Sequence, residues 1–122
     1  MARVRVCNIY KKNDISKNRY MQMYFFCLQY DDWKKAVKEN QDKEYVKIAE
    51  RNIKVINKAA KEAADNNDIF TQYLIKAVTH NDRSYNDTFN DSDVCDNAEF
   101  YLMRRNFYLY LNKELNNIGY AI

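Results

Sequence analysis

The side chains that most often carry nucleophilic chemistry are scarce in this 122-residue chain. It has one histidine, His80, and three cysteines, Cys7, Cys27 and Cys95. A thiol nucleophile needs a base within hydrogen-bond reach, and His80 lies in a polar stretch that predicts a place at the surface. Cys27 lies on an apolar helical stripe, which indicates a core thiol. We therefore expect no catalytic site and no enzymatic activity.

The acidic segment 82–99 is the second place where side chains could do chemistry. Its carboxylates are Asp82, Asp87, Asp91, Asp93, Asp96 and Glu99. Their alternation invites comparison with a calcium loop, but the glycine at the sixth loop position is missing, and Glu99 comes one residue late when counted from Asp87. Zinc-ligand spacings such as CxxC and HxxxH are absent, and Gly119 alone cannot form a glycine-rich phosphate loop. We expect no metal and no cofactor.

Charge is distributed unevenly along the chain. Residues 1–20 have a net charge of +5 and residues 81–99 a net charge of −5, in a protein whose total is +3. Polarity of this kind is informative about partners. Any function assigned to the chain has to account for it.

The composition favours an α-helical fold. Proline is absent and Gly119 is the only glycine, so the usual residues of tight hairpins are lacking. Hydrophobic residues make up 47% of the chain, enough for one domain with a core and no disulfides. Three widely spaced cysteines without a signal peptide fit reduced thiols in a cytoplasm. The apolar runs are far shorter than the roughly 20 residues that cross a bilayer, so we expect no membrane span.

Apolar periodicity and capping residues predict a small all-α bundle of about five helices. The predicted helical segments are, in chain order, from an N-cap at Ser16 to about Tyr30, a short one around Trp33, one over about 43–64, one from Asp68 to His80, a short one from Ser84 to Phe89, and one from a capping box of Asp96 and Glu99 to a stop before Gly119. We expect one domain, 1–122, with a basic arm (1–15), N-terminal helices (16–64) and a C-terminal unit (68–116).

The longest predicted helix has an apolar stripe on one side and bases on the other. The bases are Lys43, Lys47, Arg51, Lys54, Lys58 and Lys61. Aromatic residues interleaved with bases can stack on nucleobases or anchor a protein interface. Most of the eleven tyrosines lie on helix stripes, which predicts the core or its edge. We expect the exposed tyrosines to be Tyr10, Tyr20, Tyr101, Tyr108 and Tyr120.

Two stretches of the chain, which together cover about half of it, resemble small uncharacterised proteins carried by phages and integrative elements of low-GC Gram-positive bacteria. The first is Arg19-Tyr20 through Phe26-Cys27-Leu28-Gln29-Tyr30-Asp31-Asp32-Trp33-Lys34, and the second runs from Tyr73-Leu74-Ile75-Lys76-Ala77-Val78-Thr79 to Arg104-Arg105-Asn106-Phe107-Tyr108-Leu109. The group has no established activity. In such proteins the closing half looks like the helix-turn-helix of phage late-gene regulators.

This resemblance implies a leading helix over 68–80, a supporting helix over 84–89, a turn over 90–95 and a recognition helix from Asp96 onward. It implies a non-enzymatic, DNA-associated regulator in the cytoplasm of a bacterial host. In that arrangement duplex DNA is contacted by the recognition helix and by the basic arm. The contacting residues would be Arg104 and Arg105 for phosphates and Arg3, Arg5, Lys11 and Lys12 for a groove.

The acidic turn keeps two alternatives open, because its carboxylates would repel the phosphates that come closest to a recognition helix. DNA would then be met by Arg3, Arg5 and the lysine face of the long helix, or the partner would not be DNA. In the second case the acidic patch fits an anti-CRISPR-like inhibitor that binds a host nucleic-acid-binding defence protein. A further alternative is an oligomeric structural or assembly protein with an aromatic interface.

Overall fold

A computed structural model describes residues 15–80 and 97–120, and these ranges are helical without strands. The helices are α1 (Lys17–Leu28), α2 (Tyr30–Glu39), α3 (Lys43–Ala63), α4 (Asp68–Val78) and α5 (Asn97–Asn117). α1 and α2 adjoin at Gln29, so the five segments amount to four helices. The predicted all-α small bundle is confirmed. Across the described ranges, every helix is too short or too polar to span a bilayer.

The helix starts follow from the side chains that cap them. The Ser16 hydroxyl accepts a hydrogen bond from the Arg19 amide at 3.0 Å, as its predicted N-cap role requires. At the start of α3, the Asp42 carboxylate accepts from the amides of Glu44 and Tyr45 at 3.0 and 3.3 Å. These local contacts fix where each helix begins. The start of α5 at Asn97 agrees with the predicted start, although the predicted cap, Asp96, lies outside the described residues.

The turn between α3 and α4 uses left-handed backbone at Asp65 (φ 53°) and Asn66 (φ 63°). Asp and Asn tolerate this region better than most residues. The Asn66 amide donates to the carbonyl of Lys61 at 2.9 Å, which closes the end of α3. The Asn67 side chain then caps α4 by accepting from the Phe70 amide at 3.0 Å. A chain with one glycine thus makes a tight helix-to-helix turn with polar side chains.

α3 is the central helix and packs against α2, α4 and α5. Its inner face carries small buried residues, among them Ala49, Ala59 and Ala60. Small side chains let neighbouring helices approach closely. The largest partner is α5, whose buried residues are Phe100, Arg104, Phe107, Tyr108, Leu111 and Leu115. This packing leaves the opposite side of α3 in solvent.

Two predictions about single residues are wrong, and one apolar residue lies in solvent. Tyr20 and Tyr108, expected at the surface, are both buried, and their rings meet edge to face with centroids 5.1 Å apart. α1 packs on α5 at this point, so both rings lie between helices. Conversely, the apolar Ile69 in the first turn of α4 is 61% exposed. At about 100° per residue it lies on the side of the helix away from the buried Thr71, Leu74 and Val78.

Candidate nucleic-acid interface

The most highly charged feature of the described residues is a row of bases along α3. All six residues of this row, here called the basic stripe, are exposed or partly exposed: Lys43, Lys47, Arg51, Lys54, Lys58 and Lys61. At 3.6 residues per turn they fall within an arc of about 80°, and from the first to the last they extend over about 27 Å. The buried Ala49, Ile56 and Ala63 lie on the opposite side of the helix. The core therefore forces the stripe to face water.

Three acidic residues on α3 interrupt this positive charge only partly. Glu44 and Glu62 lie just outside the arc of the stripe, while Glu50 lies at its other edge. α3 as a whole has a net charge of +3. The stripe is thus a continuous basic surface bordered by three carboxylates of its own helix, Glu50 on one side and Glu44 and Glu62 on the other.

A shallow open groove of about 330 Å³ runs beside the stripe toward α5. Its lining consists of Lys47, Glu50, Arg51, Lys54, Val55, Lys58 and Glu114. Val55 is nearly buried and provides an apolar surface, and α5 contributes Glu114. The groove offers four bases and two acids to whatever enters it.

Two bases of the groove are held in place by neighbouring side chains. Arg51 donates from Nε and Nη2 to the side-chain oxygen of Asn52, at 3.3 and 3.2 Å. Asn52 is itself buried, so it anchors the guanidinium at the edge of the helix. Lys58 Nζ lies 3.0 Å from a carboxylate oxygen of Glu114. That hydrogen bond, reinforced by the charge of Glu114, raises the pKa of Lys58 above its ordinary value.

The DNA contacts predicted outside α3 do not join this surface in the described residues. Arg3, Arg5, Lys11 and Lys12 lie outside the described ranges. Arg104 is only 3% exposed, and its guanidinium carbon lies 4.8 Å from the ring centroid of Tyr101 and 5.9 Å from that of Phe100. Arg105 is half-buried. Phosphate contact by Arg104 and Arg105 stays a prediction, and the burial of Arg104 weighs against it.

The acidic patch and the helix-turn-helix unit also remain predictions. Asp82, Asp87, Asp91, Asp93 and Asp96 lie outside the described residues, as do the supporting helix 84–89 and the turn 90–95. Glu99 is exposed in the first turn of α5. The described residues therefore contain α4 and α5 of the predicted unit without the segment that would join them.

Cys27 and His80, the residues first considered for catalysis or metal binding, lie in surroundings typical of structural residues. Cys27 is a fully buried thiol in the hydrophobic core. His80 follows α4, with Nε2 at 3.2 Å from the Asp31 carboxylate and Nδ1 at 2.8 Å from the carbonyl of Lys76. Within residues 15–80 and 97–120, His, Cys, Asp and Glu side chains form no group of three that could hold a metal ion.

Comparison with known proteins does not indicate a function for this chain. No family model, curated protein or solved structure matches this chain. The basic stripe and its groove therefore have to be interpreted from their own charges and contacts.

Sequence reasoning missed the burial of Arg19, which belongs by sequence to the basic N-terminal block. The guanidinium donates to Asn112 at 2.7 Å, Gln22 at 2.7 Å, the carbonyl of Tyr120 at 3.0 Å and Asn116 at 3.0 Å. Burial lowers the pKa of Arg19, and the electrostatic interaction with Tyr120 acts in the opposite direction. A signal for this burial exists in the sequence, because Arg19 lies one helical turn before the apolar Met23. Arg19 fastens α1 to the end of α5 and is not part of the stripe.

Proposed function

We propose that this protein is a non-enzymatic, DNA-associated regulator of a phage or mobile element, and that it contacts the phosphate backbone of duplex DNA through the basic stripe of α3. The observation that carries the proposal is the alignment of six solvent-facing bases on one side of a helix whose other side is core. Phosphate contacts position a protein on DNA without reading its sequence. The stripe suits that task because lysine side chains are long and flexible.

The dimensions of the stripe fit a duplex. A length of about 27 Å corresponds to about eight base pairs at 3.4 Å per step. Lys58 already has a carboxylate partner in Glu114, so five bases are available for phosphates. At about 0.9 per neutralised phosphate, five contacts predict a slope of about −4.5 in a plot of log K against log salt concentration.

The experiment is fluorescence anisotropy of a labelled duplex titrated with protein at several salt concentrations between about 50 and 200 mM. The double variant Lys47→Ala/Lys54→Ala removes two contacts, so we expect weaker binding and a slope that is shallower by about 1.8. The matched control is Lys35→Ala/Lys38→Ala on α2, which removes the same charge. Lys35 lines a different groove, together with Tyr45, which lies on the side of α3 opposite the stripe.

Equal slopes for the two double variants would contradict the role of the stripe. Absence of duplex binding at about 50 mM salt, where non-specific binders have Kd values below about 10⁻⁴ M, would contradict DNA association altogether. A regulator also needs sequence preference, at least about 10³-fold over random duplex. Enrichment of one sequence from a pool of random duplexes tests that part of the proposal separately.

A further inference from the structure

Glu114 is the one acid that a second helix brings to the groove beside the basic stripe, within the part of the chain that the structure describes. Its side chain is 14% exposed, whereas that of its partner Lys58 is 59% exposed. The carboxylate is therefore part of the wall of the groove, while the ammonium reaches it from the solvent side. If Lys58 turns away to meet a phosphate, Glu114 stays behind in the groove. A phosphate at this place would then face a fixed negative charge.

We propose that Glu114 is a negative determinant of the interface, which keeps Lys58 from binding phosphate and so limits the affinity of the stripe for duplex DNA. The inference rests on the proposed function of the stripe. Among the described residues, Lys58 is the only base of the stripe that forms a salt bridge. The other five bases are available to the backbone of an incoming duplex. For Lys58, a phosphate has to compete with Glu114.

The position of Glu114 argues that the contact has a role beyond stabilising the fold. Glu114 lies in the last turn of α5, which contains no base. A carboxylate at a helix C-terminus is unfavourable because of the partial negative charge of the terminal carbonyls. Glutamine would fill the same space without that penalty. The Glu114 carboxylate therefore destabilises the end of α5. The residue that it contacts is Lys58 of the stripe.

The isosteric variant Glu114→Gln tests the inference by releasing Lys58. One additional phosphate contact steepens the salt slope by about 0.9. A phosphate bound by Lys58 would lie about 6 Å from the Glu114 carboxylate, so removing that charge raises duplex affinity by about three- to tenfold at low salt. Circular dichroism of each variant checks that the helical content is unchanged.

Two control variants separate release of Lys58 from a general change of charge. Glu50→Gln removes one negative charge from the same groove, but Glu50 forms no ion pair with any described residue. It should raise affinity with no change in slope. In a Lys58→Ala background, Glu114→Gln should likewise leave the slope unchanged, because no ammonium remains to be released.

The outcomes distinguish this inference from the proposed function. If Lys47→Ala/Lys54→Ala weakens duplex binding but Glu114→Gln leaves the slope unchanged, Glu114 has no such role and the stripe remains the interface. The role of Glu114 is equally excluded if the slope steepens to the same extent without Lys58. If neither wild type nor Glu114→Gln binds the duplex, both proposals fail. Binding by Glu114→Gln alone would contradict DNA association of the wild type, while showing that Glu114 blocks the stripe.

Discussion

Replacing Arg19 by alanine tests how the two ends of the chain's described part are held together. Arg19 is only 6% exposed, and its guanidinium makes four hydrogen bonds, each to a neutral oxygen. Three of the four acceptors belong to the last part of α5 and the turn after it, and the fourth is Gln22 on α1 itself. The substitution removes all four bonds and the packing of the long side chain.

The expected loss follows from the exposure of the acceptors. A hydrogen bond contributes about 0.5–1.5 kcal/mol net, and more when one group is charged. Asn116 is exposed and Asn112, Gln22 and Tyr120 are half-buried, so water can replace part of what is lost. Taking about 0.5–1 kcal/mol for each bond, we expect Arg19→Ala to lower the free energy of unfolding by about 2–4 kcal/mol. For a chain of this length that corresponds to a fall in Tm of about 8–16 °C.

The assay is urea unfolding and thermal unfolding followed by helical circular dichroism. Lys17→Ala, at an exposed position of the same helix, is the control and should change stability by no more than about 0.5 kcal/mol. Arg19→Lys keeps the charge but has one nitrogen, which cannot reach all four oxygens, so its loss should be intermediate. A loss in Arg19→Ala as small as that of the control would refute the reasoning. Wild-type stability in Arg19→Lys would show that charge alone matters.

Two further predictions concern the core around α3. Burial raises the pKa of Tyr30 above its ordinary value, and its hydroxyl donates a hydrogen bond to the side-chain oxygen of Asn57 at 2.6 Å. The associated stability is fully present below about pH 10 and is lost as the pH rises through the higher folded-state pKa. Wild type should therefore lose more free energy of unfolding than Tyr30→Phe in urea titrations across that window; parallel losses would contradict the burial. Ala59→Leu should overpack the buried face of α3 and cost about 1–3 kcal/mol, whereas Ala98→Leu at an exposed position of α5 should change stability by no more than about 0.5 kcal/mol. Equal effects on the urea midpoint would argue against this packing.

Local sequence patterns were sufficient to predict the helical fold class, most helix ends and the basic stripe. Ser16 caps α1 as predicted, α3 and α4 begin at Lys43 and Asp68, and α5 ends before Gly119. Capping and periodicity depend on residues within one or two turns of each other, so the sequence alone determines them. The sequence alone also determines that the bases of α3 lie on one side of the helix, because this follows from their spacing.

Only the tertiary structure decided which parts of each helix are covered. Arg19 and Tyr108 are buried because α1 packs on α5. The contact of Lys58 with Glu114 joins residues 56 positions apart and exists only because α3 and α5 are neighbours. Helical periodicity predicts which face of a helix is apolar, but not which other helix packs against that face. The sequence therefore determined the basic stripe, and the packing of α5 beside it determined which of its bases is already paired.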